Sequence, residues 1–121
     1  MENKNDPYLR GIELFNARKF WEAHEAWEEI WLVVDGVKSD FYQGLIQSAA
    51  ALLKFQRGEV EPARRLYTLA NEKLDRCPAE FMRLNVREFQ ARMAVCFLPI
   101  LDGHSGSMDD LKIPTLTLNP E

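Results

Sequence analysis

Residues 20–31 read FWEAHEAWEEIW, with one histidine, four glutamates and three tryptophans in twelve positions. On a helical wheel with Phe20 at zero, Ile30, Ala23, Trp27, Phe20 and Trp31 fill an arc from roughly 280° round to 20°. Glu22, Glu25, Ala26 and Glu29 occupy the arc expected to face solvent. His24 falls at about 40° and Glu28 at about 80°, with Trp21 and Leu32 beyond them at about 100° and 120°. The stretch is therefore an amphipathic helix whose apolar face needs partners, and whose polar pair is bracketed by large apolar side chains.

The flanking sequence supplies those partners as further helices. Asp6-Pro7 combines a capping side chain with a proline suited to a first turn, and Tyr8, Ile12, Phe15 and Lys19 then share a face. Asp35-Gly36 makes a turn, and Ser39 or Asp40 is the expected cap of a third helix over about residues 41–57. Gly58 ends it. A fourth helix, about 60–76, tolerates Pro62 in its first turn and is closed by Cys77-Pro78. Asn85 and Glu88 form a capping pair that opens a fifth helix to about Leu98, lined by Phe89, Met93, Cys96 and Phe97.

Beyond Pro99 the residues 103–109 read as a polar hinge. The segment 110–121 reads as an extended tail laid on the helices through Ile113, Leu116 and Leu118. The expectation is one all-α domain over 1–121, a compact bundle of about five helices with its core in about 7–98.

A repeat accompanies this pattern. Shifted by forty residues, FNARKFWEAHEAWEEI from Phe15 aligns with FQRGEVEPARRLYTLA from Phe55. Phe15 meets Phe55, Phe20 meets Val60, Ala23 meets Ala63, Trp27 meets Tyr67 and Ile30 meets Ala70. Small, aromatic and apolar residues at i, i+4 and i+7 suit two helices that approach closely. The two hairpins are thus expected to be tetratricopeptide-like, although two copies fall short of the three or so that a solenoid needs.

The polar pair invites a chemical reading. His24 and Glu28 stand one turn apart and can bond each other or a common third group. The third helix, FYQGLIQSAAALLKF, is apolar nearly all round except for Gln43, Gln47 and Lys54. Its glutamines are expected to turn inward and satisfy a largely buried His24 and Glu28, while Gly44, Ser48 and Ala51 admit another helix. His-Glu-x-x-Glu is also one ligand away from the helical His-Glu-x-x-His zinc motif, which makes His24, Glu25 and Glu28 the catalytic candidates. A catalytic zinc needs a third protein ligand, His104 lies in the hinge, and the chain does not carry the repeated Glu-x-x-His of a di-iron site. No metal or other cofactor is expected. Trp21, beside Glu25, is placed to line a groove whose floor is the His24–Glu28 pair.

Composition narrows the classes further. Fifteen basic and nineteen acidic residues give a net charge of −4, and Arg57, Arg64, Arg65 and Arg76 lie among acidic neighbours. That pattern is no footprint for nucleic acid. The start, MENKNDPYLRG, has no apolar leader, no run is long enough to span a membrane, and a cytoplasmic location is expected. Cys77 and Cys96 have no metal-type spacing, and Cys96 reads as a reduced, buried thiol.

Several of these features occur together in one known family. Gly11 to Phe15, Glu22 to Trp31, Gly44 to Gln47, Arg57-Gly58 and Ala63 to Leu66 together resemble the bacterial and archaeal family called domain of unknown function 309. The resemblance implies a small all-helical fold without an assigned activity. It places His24, Glu25, Glu28, Trp31 and Gln47 at the family's motif positions.

Two functions from different classes follow. The first is a scaffold or interaction module that receives a protein or peptide, its contact residues drawn from Trp21, His24, Glu28, Trp31, Gln43 and Gln47. The second is a small hydrolase or metal-dependent enzyme centred on His24, Glu25 and Glu28.

Overall fold

The computed structural model describes residues 6–121; residues 1–5, part of the start read above for a leader, lie outside the described residues. Five helices are found among the described residues: α1 (Pro7–Asn16), α2 (Phe20–Trp31), α3 (Gly36–Gln56), α4 (Val60–Asp75) and α5 (Val86–Phe97). A two-stranded antiparallel hairpin, β1 (Glu80–Phe81) and β2 (Leu84–Asn85), joins α4 to α5. The fold is an all-α bundle in which α2 packs between α1 and α3, and α3 against α4. No helix among the described residues is long and apolar enough to cross a membrane.

Local chemistry explains the helix starts. The Asp6 side chain accepts a hydrogen bond from the Tyr8 amide at 2.9 Å, with Pro7 in the first turn. Asn85 Oδ1 accepts from the Glu88 amide at 3.0 Å, the expected cap of α5. The third helix differs from expectation. It begins at Gly36, so Ser39 and Asp40 lie inside its first turns and cap nothing. Gly36, at φ +63°, makes the turn and opens the helix at once.

The forty-residue repeat is visible in the two hairpin turns. Arg18 (φ 66°) donates to Phe15 O at 2.9 Å, and Lys19 to Leu14 O at 2.8 Å. Gly58 (φ 75°) donates to Phe55 O at 3.0 Å, and Glu59 to Lys54 O at 2.9 Å. Both turns are Schellman closures with a left-handed residue after the helix. The fillings differ, since Trp27 is fully buried while its counterpart Tyr67 is half-buried.

Because an L side chain in the left-handed region costs roughly 1–2 kcal/mol, the copies make opposite predictions. Arg18→Gly should raise stability by about 1 kcal/mol, and Gly58→Arg should lower it by about as much. Arg18 also reaches the Asp110 carbonyl at 3.4 Å, an exposed bond too weak to reverse the sign. Urea unfolding of the two variants checks this, and equal shifts of the same sign would refute it.

Phe15 is the aromatic hub, with ring centroids 5.1 Å from Phe20, 5.9 Å from Trp27 and 5.9 Å from Phe89. It ties α1 to both α2 and α5. Gly11 of α1 and Gly44 of α3 admit close neighbours. A Cβ on Gly11 would fall within the Trp27 indole, and one on Gly44 would meet Leu74 of α4 at 2.6 Å. Ser48 and Ala51 are also buried, and Ser48 turns its hydroxyl back onto the Gly44 carbonyl at 2.8 Å.

The tail is anchored at two points in its later half. The Leu116 amide donates to Asn16 Oδ1 at 2.7 Å, and Asn16 Nδ2 donates to the Leu116 carbonyl at 2.9 Å. Further on, Leu118 bridges to Leu84 of β2, and the Asn119 amide donates to Arg83 O at 2.7 Å. Ile113, Pro114 and Leu116 are buried. Residues 102–107 are exposed, and Arg64 of α4 holds that loop by donating to Ile100 O at 2.7 Å and His104 O at 2.9 Å.

All three tyrosines, Tyr8, Tyr42 and Tyr67, have phenols raised above their ordinary pKa, chiefly by burial. Unfolded phenols ionise near about pH 10. Their contribution to stability is therefore complete below that pH and is lost as pH rises toward the folded values. An alkaline titration should show phenolate absorbance appearing together with loss of helix. Phenolate near pH 10 with the helical signal intact would contradict this burial. Burial likewise pushes the free Cys96 thiol up to about 11 and raises that of Cys77.

Candidate functional site

Helix α2 presents two faces, and the division differs from the one the wheel suggested. Phe20, Ala23, Ala26 and Trp27 are buried, so the covered arc runs from Ala26 through Phe20. Ala26, expected in solvent, belongs to the core. The Trp27 indole is 0% exposed and donates to the Tyr8 carbonyl at 3.2 Å, where the absent side chain of Gly11 leaves room.

With the covered arc displaced to that side, His24 and Glu28 move to its edge. Their side chains retain 22% and 43% exposure, with His24 Nε2 3.5 Å from Glu28 Oε2. This corrects the expectation of a buried His-Glu-Gln network. Glu28 is half in solvent, and Gln47 contributes no hydrogen bond to either residue. Gln47 and Gln43 lie half-buried on α3. Gln47 Oε1, His24 Nδ1 and Trp31 Nε1 are buried without a protein partner. Such groups near the α2 and α3 surfaces are ordinarily met by buried water. Trp31 is half-buried, where full core packing was expected.

The arc expected to cover the pair is bare. Trp21 is 54% exposed and Leu32 70%, and after them in the chain Val33 (82%) and Val37 (40%), at the turn into α3, are exposed as well. Trp21 lies flat on His24, with ring centroids 5.0 Å apart and planes 14° from parallel. The structure thus brings Trp21, His24 and Glu28 together, while Glu25 stands exposed beside them and His104 is on the loop held by Arg64. Leu32, Val33 and Val37 were not read as site residues. Their signal was the position of Leu32 on the same side of the helix as Trp21, well off the covered arc.

Electrostatically the surface is acidic. Helix α2 carries Glu22, Glu25, Glu28 and Glu29 and no lysine or arginine. Arg10 of α1 pairs with Glu29 at 2.9 Å on the far flank. Among the described residues no three His, Cys, Asp or Glu side chains gather where one metal ion would sit. The pair His24 and Glu28 therefore supplies two donors, short of the three protein ligands of a catalytic zinc.

An uncharacterized protein of Aquifex aeolicus (strain VF5) is 32% identical over 78 residues, which are 64% of this chain and 23% of that protein. The chain thus matches less than a quarter of the relative's length. Residues 8–66, which hold α1, α2, α3 and the start of α4, match the family described as Domain of unknown function (DUF309). Through that segment, just under half of its length, the chain matches the DUF309 family.

Proposed function

We propose that this protein is an interaction module that offers the outward edge of α2, with the α2–α3 corner, to a segment of a partner protein. The observation that carries the reading is the contrast within one stretch of chain. Trp27 is fully covered, whereas Trp21, Leu32 and Val33 are between 54% and 82% exposed. Single exposed apolar residues are ordinary, but a tryptophan, a leucine and two valines exposed along α2 and its turn into α3 suit a contact surface. Tryptophan at such an edge offers a large rigid area at small entropic cost. The Aquifex aeolicus relative supports the same reading, because there the matching region is a minor part of a longer chain. The two hairpins, which we read as tetratricopeptide-like from their matched turns, would hold the edge rigid from behind. For the enzyme reading, no third ligand gathers with His24 and Glu28 among the described residues.

The test is a photo-crosslinking amino acid placed at Val33, in the cells that make the protein. Discrete adducts should form that are lost in Trp21→Asp. Adducts no stronger than those from the same probe at exposed Glu72 of α4 would overturn the proposal.

A further inference from the structure

We infer that the partner segment is a helix of about three turns, apolar at both ends and cationic in the middle, an inference that rests on the docking reading above. The warrant is the order of side chains along the exposed ridge of α2. Trp21, Glu25, Glu28 and Leu32 are spaced i, i+4, i+7 and i+11, which places them in one row on the helix. At 1.5 Å per residue the row is about 16 Å long. Its ends are apolar and exposed, and its middle is a pair of carboxylates.

The charge in the middle is available to a partner. Glu28 has only the His24 imidazole beside it, at 3.5 Å, and Glu25 forms no ion pair among the described residues. Arg10 is engaged with Glu29, one turn beyond Glu25, and Lys19, next to the helix, falls at about 260° on the wheel, away from the row. A helix laid along this row meets its charge by setting lysine or arginine against Glu25 and Glu28. Its leucine-like ends then seat on Trp21 and on Leu32 with Val33. The spacing 4-3-4 reads the same in both directions, so it fixes the pattern of the partner without fixing its polarity. A second copy of this chain is disfavoured, because ridge against ridge sets carboxylate against carboxylate. Anionic lipid is disfavoured for the same reason.

The alternatives elsewhere are weaker. The apolar surface of Val95, Leu98 and Leu111 beside Pro114 has nothing that says what covers it. The cleft between α5 and the tail has its charges, Glu88 and Arg92, already paired at 2.8 Å.

The experiment is a titration of the whole chain with helix-stabilised peptides that present Leu-Lys-Lys-Leu, Leu-Gln-Gln-Leu or Leu-Glu-Glu-Leu at the same spacing. The anisotropy of a dye on each peptide is the readout, so that binding is read equally in variants that lack Trp21. The lysine peptide should bind at least about tenfold more tightly than the glutamate peptide. Glu25→Lys, at an exposed position, should weaken the lysine peptide and strengthen the glutamate one; Glu25→Lys/Glu28→Lys should invert the order. Equal binding of the lysine and glutamine peptides, lost in Trp21→Ala, would overturn the cationic pattern and leave the docking edge standing. Failure of all three peptides, with Val33 adducts still formed, would overturn the three-turn helix alone. Failure of both experiments would remove the edge itself. Concentration-dependent dimerisation abolished by Trp21→Ala would name the second copy as occupant and refute the inference.

Discussion

Gly11→Ala should destabilise the protein by about 3 kcal/mol, although alanine is ordinarily the better helix former by about 1 kcal/mol. A Cβ at this position of α1 would lie 2.5 Å from Cδ1 and Cε2 of Trp27, and nearer still to Nε1. The indole has nowhere to move. It is 0% exposed, it is held by its bond to the Tyr8 carbonyl, and Phe15 packs on it with centroids 5.9 Å apart. Either α1 and α2 separate or the indole leaves its site, and either course opens the core. Deleting a buried tryptophan costs about 3–5 kcal/mol, which sets the scale. Urea unfolding of Gly11→Ala, Trp27→Phe and the double variant checks the argument. The smaller ring should recover much of the Gly11→Ala loss, and a single-variant loss below about 1 kcal/mol would refute the close approach.

Leu116→Ala should cost about 2–4 kcal/mol even though it lies five residues from the last residue, Glu121, in a segment without helix. Leu116 is 2% exposed, and its amide and carbonyl are both clasped by the Asn16 side chain. The truncation leaves a cavity against a core that Phe15 and Phe89 line from the other side. Leu111→Ala supplies the contrast, because Leu111 is 94% exposed and should change stability by less than about 0.5 kcal/mol. Similar melting shifts for the two variants would mean that the tail does not pack as described.

Much of this architecture was legible because single residues carry strong local instructions. Asp6-Pro7 opens α1, Asn85 with Glu88 opens α5, and Phe89, Met93, Cys96 and Phe97 fall on one buried side at helical spacing. The hairpin β1–β2 was not legible. Its two-residue turn places Met82 (φ 49°) and Arg83 (φ 67°) in the left-handed region, and neither residue advertises such a turn as asparagine-glycine does. Tyr8, whose hydroxyl donates to Met82 O at 3.0 Å, and the tail, through Asn119 and Arg83, hold it from outside. No local pattern could report these.

The candidate site shows the same limit. The wheel ordered the side chains of α2 correctly around the axis, but the covered arc depends on where α1 and α3 come to rest. That arc reaches Ala26, so the bracket expected over His24 and Glu28 became an open edge. Glu28→Ala and Glu29→Ala should accordingly differ little, since both carboxylates sit in half-exposed ion pairs that contribute about 0–1 kcal/mol.

The central claim is that α2 builds the core with one face and leaves the other free for a partner. Its most direct test is the unfolding free energy of Trp21→Ala/Leu32→Ser, measured by urea denaturation on the whole chain. The account predicts a change within about 0.5 kcal/mol, because neither side chain is needed by the fold. A loss of about 2 kcal/mol or more would show that this edge is structural, and would contradict the account.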